Sequence, residues 1–103
     1  MTDRELLEFA AKAAGIAGFW VDVGLNTGSD ASPMIWDPRN DDGDCARMEA
    51  ALGIHVTWHS DGVVCGKRIW QETAMFEDHN GDRQAARRIA SLRIAAAIGK
   101  AMP

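Results

Sequence analysis

The sequence predicts an α/β fold of the α+β kind, in which three helices sandwich a small, mainly antiparallel sheet of about four strands. Apolar residues recur at helical spacing in three segments, whereas other segments alternate with period two or form short β-branched and aromatic runs. The dipeptide Asp61-Gly62 separates two of these runs, and such a tight turn favours antiparallel pairing. A chain of 103 residues without a linker or an internal repeat is expected to form one domain, residues 1–103.

The first helix is predicted over residues 3–14. It begins with a capping box, Thr2-Asp3-Arg4-Glu5, in which a hydroxyl and a carboxylate three residues later satisfy N–H groups at the helix start. Gly15 can take the left-handed conformation that ends a helix. The apolar face between these signals consists of Leu6, Phe9, Ala10 and Ala13.

A strand, a loop and a second helix are predicted next. Residues 19–23 are aromatic and β-branched between two glycines, which is typical of a strand. Residues 25–35 are rich in Gly, Ser, Asn and Asp and contain Pro33, so they predict a long loop. The second helix ends at Gly53, and its apolar side consists of Cys45, Met48, Ala51 and Leu52.

Three further strand segments follow the second helix. Residues 54–59 alternate with period two, which predicts a strand with one apolar face. A tight turn at residues 60–63 returns the chain into a strand over residues 63–65. Another strand is predicted over about residues 69–76.

The last helix is predicted from Asp82 through about Ile98 and is apolar on two sides. Its inner stripe consists of Ala85, Ile89, Leu92, Ala96 and Gly99. The opposite side carries Ala90, Ile94, Ala97 and Ile98 after two arginines. A helix without a polar side is either enclosed within its own domain or buried against another chain. The second alternative predicts a homo-oligomer, at least a homodimer.

The net charge of −4 is unevenly distributed along the chain. Residues 1–82 carry fifteen acidic and six basic side chains, and residues 83–103 carry five basic and no acidic ones. The predominantly acidic chain disfavours binding to duplex nucleic acid, whereas the basic last helix suits a compact phosphate-bearing ligand. Cys45 and Cys65 lie outside any Cys-x-x-Cys pattern, which indicates buried thiols in a reduced cytoplasmic protein. Neither a membrane span nor a signal peptide is expected.

The carboxylates between Trp36 and Cys45 are the first candidate site. In an EF-hand alignment on Gly43, Pro38 occupies the position of the first obligatory carboxylate, so that kind of calcium loop is excluded. A looser magnesium site is not specified by any spacing. We therefore expect Asp41 or Asp42 to cap the second helix, with Asp44 near its first-turn N–H groups. The four carboxylates are Asp37, Asp41, Asp42 and Asp44.

The histidines and loop motifs do not predict a catalytic site. His55 and His59 lie on one side of a strand but about 13 Å apart, too far to chelate one metal ion. His79 follows Asp78 in a turn, with no serine or cysteine nucleophile identifiable nearby. Gly-rich phosphate loops are absent from the sequence, so no cofactor is predicted.

Tryptophans and arginines form the second candidate site. Trp36, which lies in a loop before Pro38, either fills the edge of the core or offers a stacking surface. Trp58 shares the apolar register of its strand and is therefore expected in the core. Aromatic rings and guanidinium groups together can hold a nucleotide by stacking on the base and pairing with phosphate. The candidate ligand-binding residues are Trp36, Arg39, Arg83, Arg87 and Arg88.

The sequence resembles a family of small phage and prophage proteins, the phage αβα-sandwich domain. The likeness lies in Trp36-Asp37-Pro38, in Asp41-Asp42-Gly43-Asp44, in residues 6–15 and in Ala85-Ala86-Arg87-Arg88-Ile89 after Asp82. It implies a sheet with helices on both faces, a phage origin and action in the host bacterial cytoplasm. It implies no catalytic residues.

Three functional hypotheses follow. The leading one is a non-enzymatic, homo-oligomeric sponge that sequesters a nucleotide immune signal, such as a cyclic dinucleotide or a cyclic ADP-ribose isomer, and blunts a host anti-phage defence. The second is a protein-interaction module that caps or inhibits a host or phage protein through an exposed Trp36 loop. The third is a metal-dependent nucleotide hydrolase that uses the carboxylates of residues 37–44.

Overall fold

The computed structural model describes residues 1–66 and 75–103 as an α+β fold with the three predicted helices. The helices are α1 (Asp3–Ala14), α2 (Asp42–Leu52) and α3 (Arg83–Ala101). The strands are β1 (Phe19–Val21), β2 (Gly24–Asn26), β3 (Ile35–Trp36), β4 (His55–Trp58), β5 (Gly62–Gly66) and β6 (Met75–Asp78). The predicted fold class is confirmed. Within the described residues, no helix is both long enough and apolar enough to cross a bilayer.

The strands form two small antiparallel sheets instead of a single sheet of about four strands. The first sheet has the order β1-β2-β3 and the second has the order β4-β5-β6. In the first sheet Trp20 pairs with Leu25, and Leu25 pairs with Trp36. In the second sheet Val56 pairs with Cys65, and Cys65 pairs with Met75.

The first sheet contains a hairpin that the sequence did not indicate. The predicted strand over residues 19–23 ends at Val21, because Asp22 and Val23 form a tight turn into β2. Gly24 follows this turn with a φ of 140°, which only glycine adopts readily. The predicted loop over residues 25–35 is therefore correct only for its middle part, because its two ends are β2 and the start of β3.

The turn of the second hairpin has two residues, as predicted, but it lies one residue earlier in the chain than Asp61-Gly62. Ser60 and Asp61 form the two-residue turn, and His59 N donates to Gly62 O at 2.8 Å. The Asp61-Gly62 dipeptide thus identified the hairpin, although Gly62 itself lies in β5. The strand predicted over residues 69–76 falls largely on residues 67–74, outside the described part of the chain. Its described portion, β6, continues to Asp78.

The first two helices start as their capping residues predict. Thr2 Oγ1 accepts the N–H of Glu5 at 3.1 Å, and Glu5 Oε1 accepts the N–H of Thr2 at 3.2 Å, so the capping box is complete. Asp41 caps α2 through its Oδ1, which accepts the N–H groups of Gly43 and Asp44.

Helix α3 is the central element, and its two apolar sides are covered by its own chain. It contacts α1, α2, β5 and β6. Ile94 is completely buried, and Ile98 packs against the core. A doubly apolar helix is either enclosed within its own domain or buried against another chain, and the structure shows the first arrangement. The second arrangement was the reason for predicting a homodimer, so the homodimer stays a prediction without structural support.

Helices α1 and α3 approach each other very closely at Gly99. A Cβ atom at this position would lie 1.8 Å from the backbone oxygen of Phe9, so the two helices meet backbone to backbone. No flexible side chain stands between them that could move aside. Only glycine allows this spacing.

We therefore expect Gly99→Ala to lower the free energy of unfolding by about 3 kcal/mol, because a methyl group there forces the helices apart. Urea denaturation followed by tryptophan fluorescence measures this loss. Gly43→Ala in α2 is the matched control, since its Cβ would meet only side-chain atoms, at 3.2 Å or more. Its change is expected to stay within about 1 kcal/mol. Equal stability of the two variants would contradict the close contact.

Candidate functional site

The five predicted ligand-binding residues lie in different environments. Trp36, in β3, has only 5% of its surface exposed and belongs to the main hydrophobic core. Of the two predicted roles for this ring, it therefore fills the core and is not available for stacking on a ligand. Because Trp36 is buried, the exposed Trp36 loop that the protein-interaction hypothesis required is not present.

Arg87 forms a buried ion pair with Glu49. Its Nε donates to Glu49 Oε2 at 3.1 Å, and its Nη2 donates to Glu49 Oε1. Glu49 comes from α2 and is almost fully buried, so this bidentate pair ties α2 to α3. The side-chain hydrogen bond to Glu49 raises the pKa of Arg87. Arg87 is therefore a structural residue rather than a ligand-binding one.

Ser91 and Cys65 extend this buried pair into a polar cluster between α2, β5 and α3. Ser91 Oγ donates to Glu49 Oε2 and lies 3.3 Å from Cys65 Sγ. Cys45 and Cys65 are both buried free thiols, as predicted. Burial raises the pKa of Cys45 to about 12 and also raises that of Cys65.

Arg39 and Arg88 are the predicted residues that the fold brings together. Arg88 Nε donates to the backbone oxygen of Arg39 at 2.9 Å, and its Nη1 donates to Asp42 Oδ1 at 2.6 Å. Arg39 Nη1 lies 2.7 Å from Asp3 Oδ2, at the start of α1. Arg83 is exposed at the first position of α3 and is not part of this arrangement.

Both arginines line a cavity of about 310 Å³ between α1, the turn after Trp36 and α3. Leu6, Ile89 and Leu92 give it an apolar wall. Its polar lining consists of Asp3, Arg39, Asn40, Arg88 and Arg93. Arg93 was not among the predicted site residues, because at the sequence level nothing distinguishes it from any other exposed helical arginine.

A second cavity of about 440 Å³ adjoins the first. The two cavities share Asp3, Leu6 and Arg93, so they form one groove between α1 and α3, which we call the α1–α3 groove. The second cavity adds Lys100 and Ala97. Among the residues that the structure describes, the groove is therefore lined by three arginines, one lysine and one carboxylate, although the net charge of the chain is −4. It is a cationic groove on an acidic protein.

The carboxylates of residues 37–44 are engaged in structural contacts. Asp41 caps α2, and Asp42 pairs with Arg88. Asp44 Oδ2 accepts the N–H of Asp37 at 3.0 Å, and its Oδ1 pairs with Arg47. Among residues 1–66 and 75–103, no three His, Cys, Asp or Glu side chains are grouped closely enough to hold a metal ion.

The histidines lie at the second sheet, away from the α1–α3 groove. His79 Nε2 is 2.8 Å from the backbone oxygen of His59, and the His79 ring packs against Trp58 with centroids 5.8 Å apart. The alternating pattern of β4 wrongly assigned Trp58 to the core, because 42% of its surface is exposed. These contacts join the β4–β5 hairpin to the turn before α3.

Comparisons of the sequence with protein-family models, with curated proteins and with solved structures find no match. The resemblance to the phage αβα-sandwich domain therefore stays a prediction. The class of protein that the structure defines is a small α+β domain with a cationic groove between two helices.

Arg87→Ala is expected to lower the free energy of unfolding by about 3–5 kcal/mol, because it leaves the buried Glu49 carboxylate without its partner. Chemical denaturation measures the loss, and Arg83→Ala is the matched control on the same helix, with a change within about 0.5 kcal/mol. Replacing both charges, by Glu49→Met with Arg87→Leu, should recover part of the stability. A loss no larger than that of Arg83→Ala would show that Arg87 has no structural role.

The buried thiols predict a loss of stability at alkaline pH. Their pKa values are higher in the folded protein than the usual 9.0, so the stabilisation is complete below about pH 9. It is lost as the pH rises from about 9 towards the raised values, because the unfolded chain then releases protons that the folded chain retains. The chain has no tyrosine, whose side chain would also lose its proton in this pH range.

Urea denaturation at pH 8 to 11 measures this loss of stability. The double variant Cys45→Ala/Cys65→Ala should show a shallower decline, and an identical decline would contradict the assignment.

Proposed function

We propose that this protein is a non-enzymatic binding protein that holds a small anionic ligand of the nucleotide type in the α1–α3 groove. The observation that carries the proposal is the pairing of Arg39 and Arg88 on a cavity with an apolar wall. A phosphate group can be held by guanidinium N–H donors, while a base or sugar packs against leucine and isoleucine. The volume of about 310 Å³ lies at the lower end of small-ligand pockets.

The guanidinium groups retain donors for a ligand. Arg88 has five N–H groups, and its contacts with Arg39 and Asp42 use one on Nε and one on Nη1. Its side chain is only 16% exposed, so the charge is partly desolvated and held in one orientation. Such a preorganised cation binds an anion more strongly than a mobile surface side chain.

An incoming anion competes with the carboxylate of Asp3 for Arg39. The Asp3 side chain is 75% exposed, so its ion pair with Arg39 is weak, on the order of 1 kcal/mol or less. A phosphate with a second negative charge can replace it with little loss. The existing ion pairs therefore orient Arg39 without closing the site.

The finer proposal is that binding serves to sequester a nucleotide immune signal in the bacterial cytoplasm and so to protect a phage from host defence. It rests on the sequence resemblance described above together with the cationic groove. The groove is formed by one chain, so sequestration does not need the predicted homo-oligomer. Binding without turnover is sufficient for this role.

A second candidate function, protein interaction, is favoured by a different surface. Phe19, Val23 and Met34 are large apolar residues with exposed side chains on or beside the first sheet. In this candidate function a host or phage protein binds this surface, and the buried Trp36 loop is no longer the contact site. A pull-down from infected cells that yields a stoichiometric protein and no small molecule would favour this candidate.

Isothermal titration with nucleoside monophosphates, cyclic dinucleotides and cyclic ADP-ribose isomers tests the leading proposal. We expect one ligand per chain and at least tenfold weaker binding for Arg39→Ala and for Arg88→Ala, since a charge-assisted hydrogen bond contributes about 1.5–3 kcal/mol. Arg83→Ala is the matched control and should bind as the unmodified protein does. Denaturing mass spectrometry should recover the ligand intact. Absence of binding across the panel, or an equal loss in the control, would refute the proposal.

A further inference from the structure

We infer that the ligand of the α1–α3 groove carries two separate anionic groups joined by a neutral body. The inference rests on the proposed function and deepens it. One anionic group lies between Arg39 and Arg88 in the first cavity, and the other lies between Arg93 and Lys100 in the second. The neutral body lies across Leu6, which both cavities share.

The cations along α3 are too far apart to be contacted by a single anionic group. Lys100 follows Arg88 by twelve residues on the same helix, which corresponds to about 18 Å along the axis. Arg93 and Lys100 are seven residues apart, two helical turns, so both can face the second cavity. One phosphate group cannot contact Arg88 and Lys100 over this distance. A ligand that engages both pairs must have charge at each end.

The neutral body lies between the two anionic groups, against an apolar side chain. Leu6 belongs to both cavities, so a ligand that spans them crosses it. Asp3 Oδ2 lies 2.7 Å from Arg39 Nη1, so this exposed carboxylate occupies the first anionic position and is displaced when an anionic group binds there. Arg93 also belongs to both cavities, whereas Lys100 belongs to the second alone, so Lys100 marks the far end of the ligand.

The two ends are expected to contribute unequally. The Arg88 side chain is 16% exposed, whereas that of Arg93 is 47% exposed and already pairs with Glu77 Oε2 at 2.5 Å. The first cavity therefore determines whether a phosphate binds, because its cation is the better ordered one. The second cavity distinguishes a ligand with two anionic groups from a ligand with one.

A series of linear alkane bisphosphates of increasing length, each compared with the alkyl monophosphate of the same length, tests the inference by titration. We expect the bisphosphate to bind at least tenfold more tightly than its monophosphate at one optimal length, and shorter members to show no gain. A gain at one chain length identifies two anionic groups at a fixed separation as the requirement.

Lys100→Ala should weaken binding of the best bisphosphate at least tenfold and weaken monophosphate binding by a much smaller factor, because the monophosphate is held by Arg39 and Arg88. Lys12→Ala is the matched control, because Lys12 is exposed on α1 and does not line the groove. If monophosphates bind and no bisphosphate binds more tightly, the inference is overturned while the proposed function stands. If neither class binds, the proposed function fails and the inference fails with it.

Discussion

The close packing of α1 against α3 is the constraint on which the rest of the structure depends. At Gly99 the two backbones are so near that no side chain fits between them. The groove lies alongside this contact, since its lining includes Leu6 of α1, Leu92 of α3 and, next to Gly99, Lys100. The packing that brings the two backbones together therefore also positions both walls of the groove. A bulkier residue at the contact would change the width of the groove as well as the stability.

The buried ion pair of Glu49 and Arg87 attaches α2 to the pair of helices α1 and α3. It holds α2 against α3 on the side of α3 that faces β5. The first residue of α2 is Asp42, which pairs with Arg88, and the turn before it presents the backbone oxygen that Arg88 binds. Two adjacent arginines therefore have different roles. Arg87 anchors the helices together, and Arg88 uses the resulting position to face the groove.

The sequence predicted the elements that local rules determine. The capping box and Gly15 set the bounds of α1 correctly, because both act within a few residues. The sequence did not predict the tight turn before Gly24 or the separation into two sheets, since Val23 is β-branched and continues the strand pattern of residues 19–22. The sequence predicted only part of the arrangement at the groove. Of the candidate residues, Arg39 and Arg88 line it. The burial of Trp36 and the pairing of Arg87 depend on residues distant in sequence, whose positions the sequence alone does not give.

The doubly apolar α3 shows why the sequence alone does not determine whether the protein forms oligomers. A pattern of apolar residues states that both sides of a helix need cover, but it does not state which chain supplies the cover. In this structure α1, α2, β5 and β6 together cover α3. The described residues that line the groove then belong to a single chain. The ligand binding that we propose therefore depends on how two helices of one molecule pack.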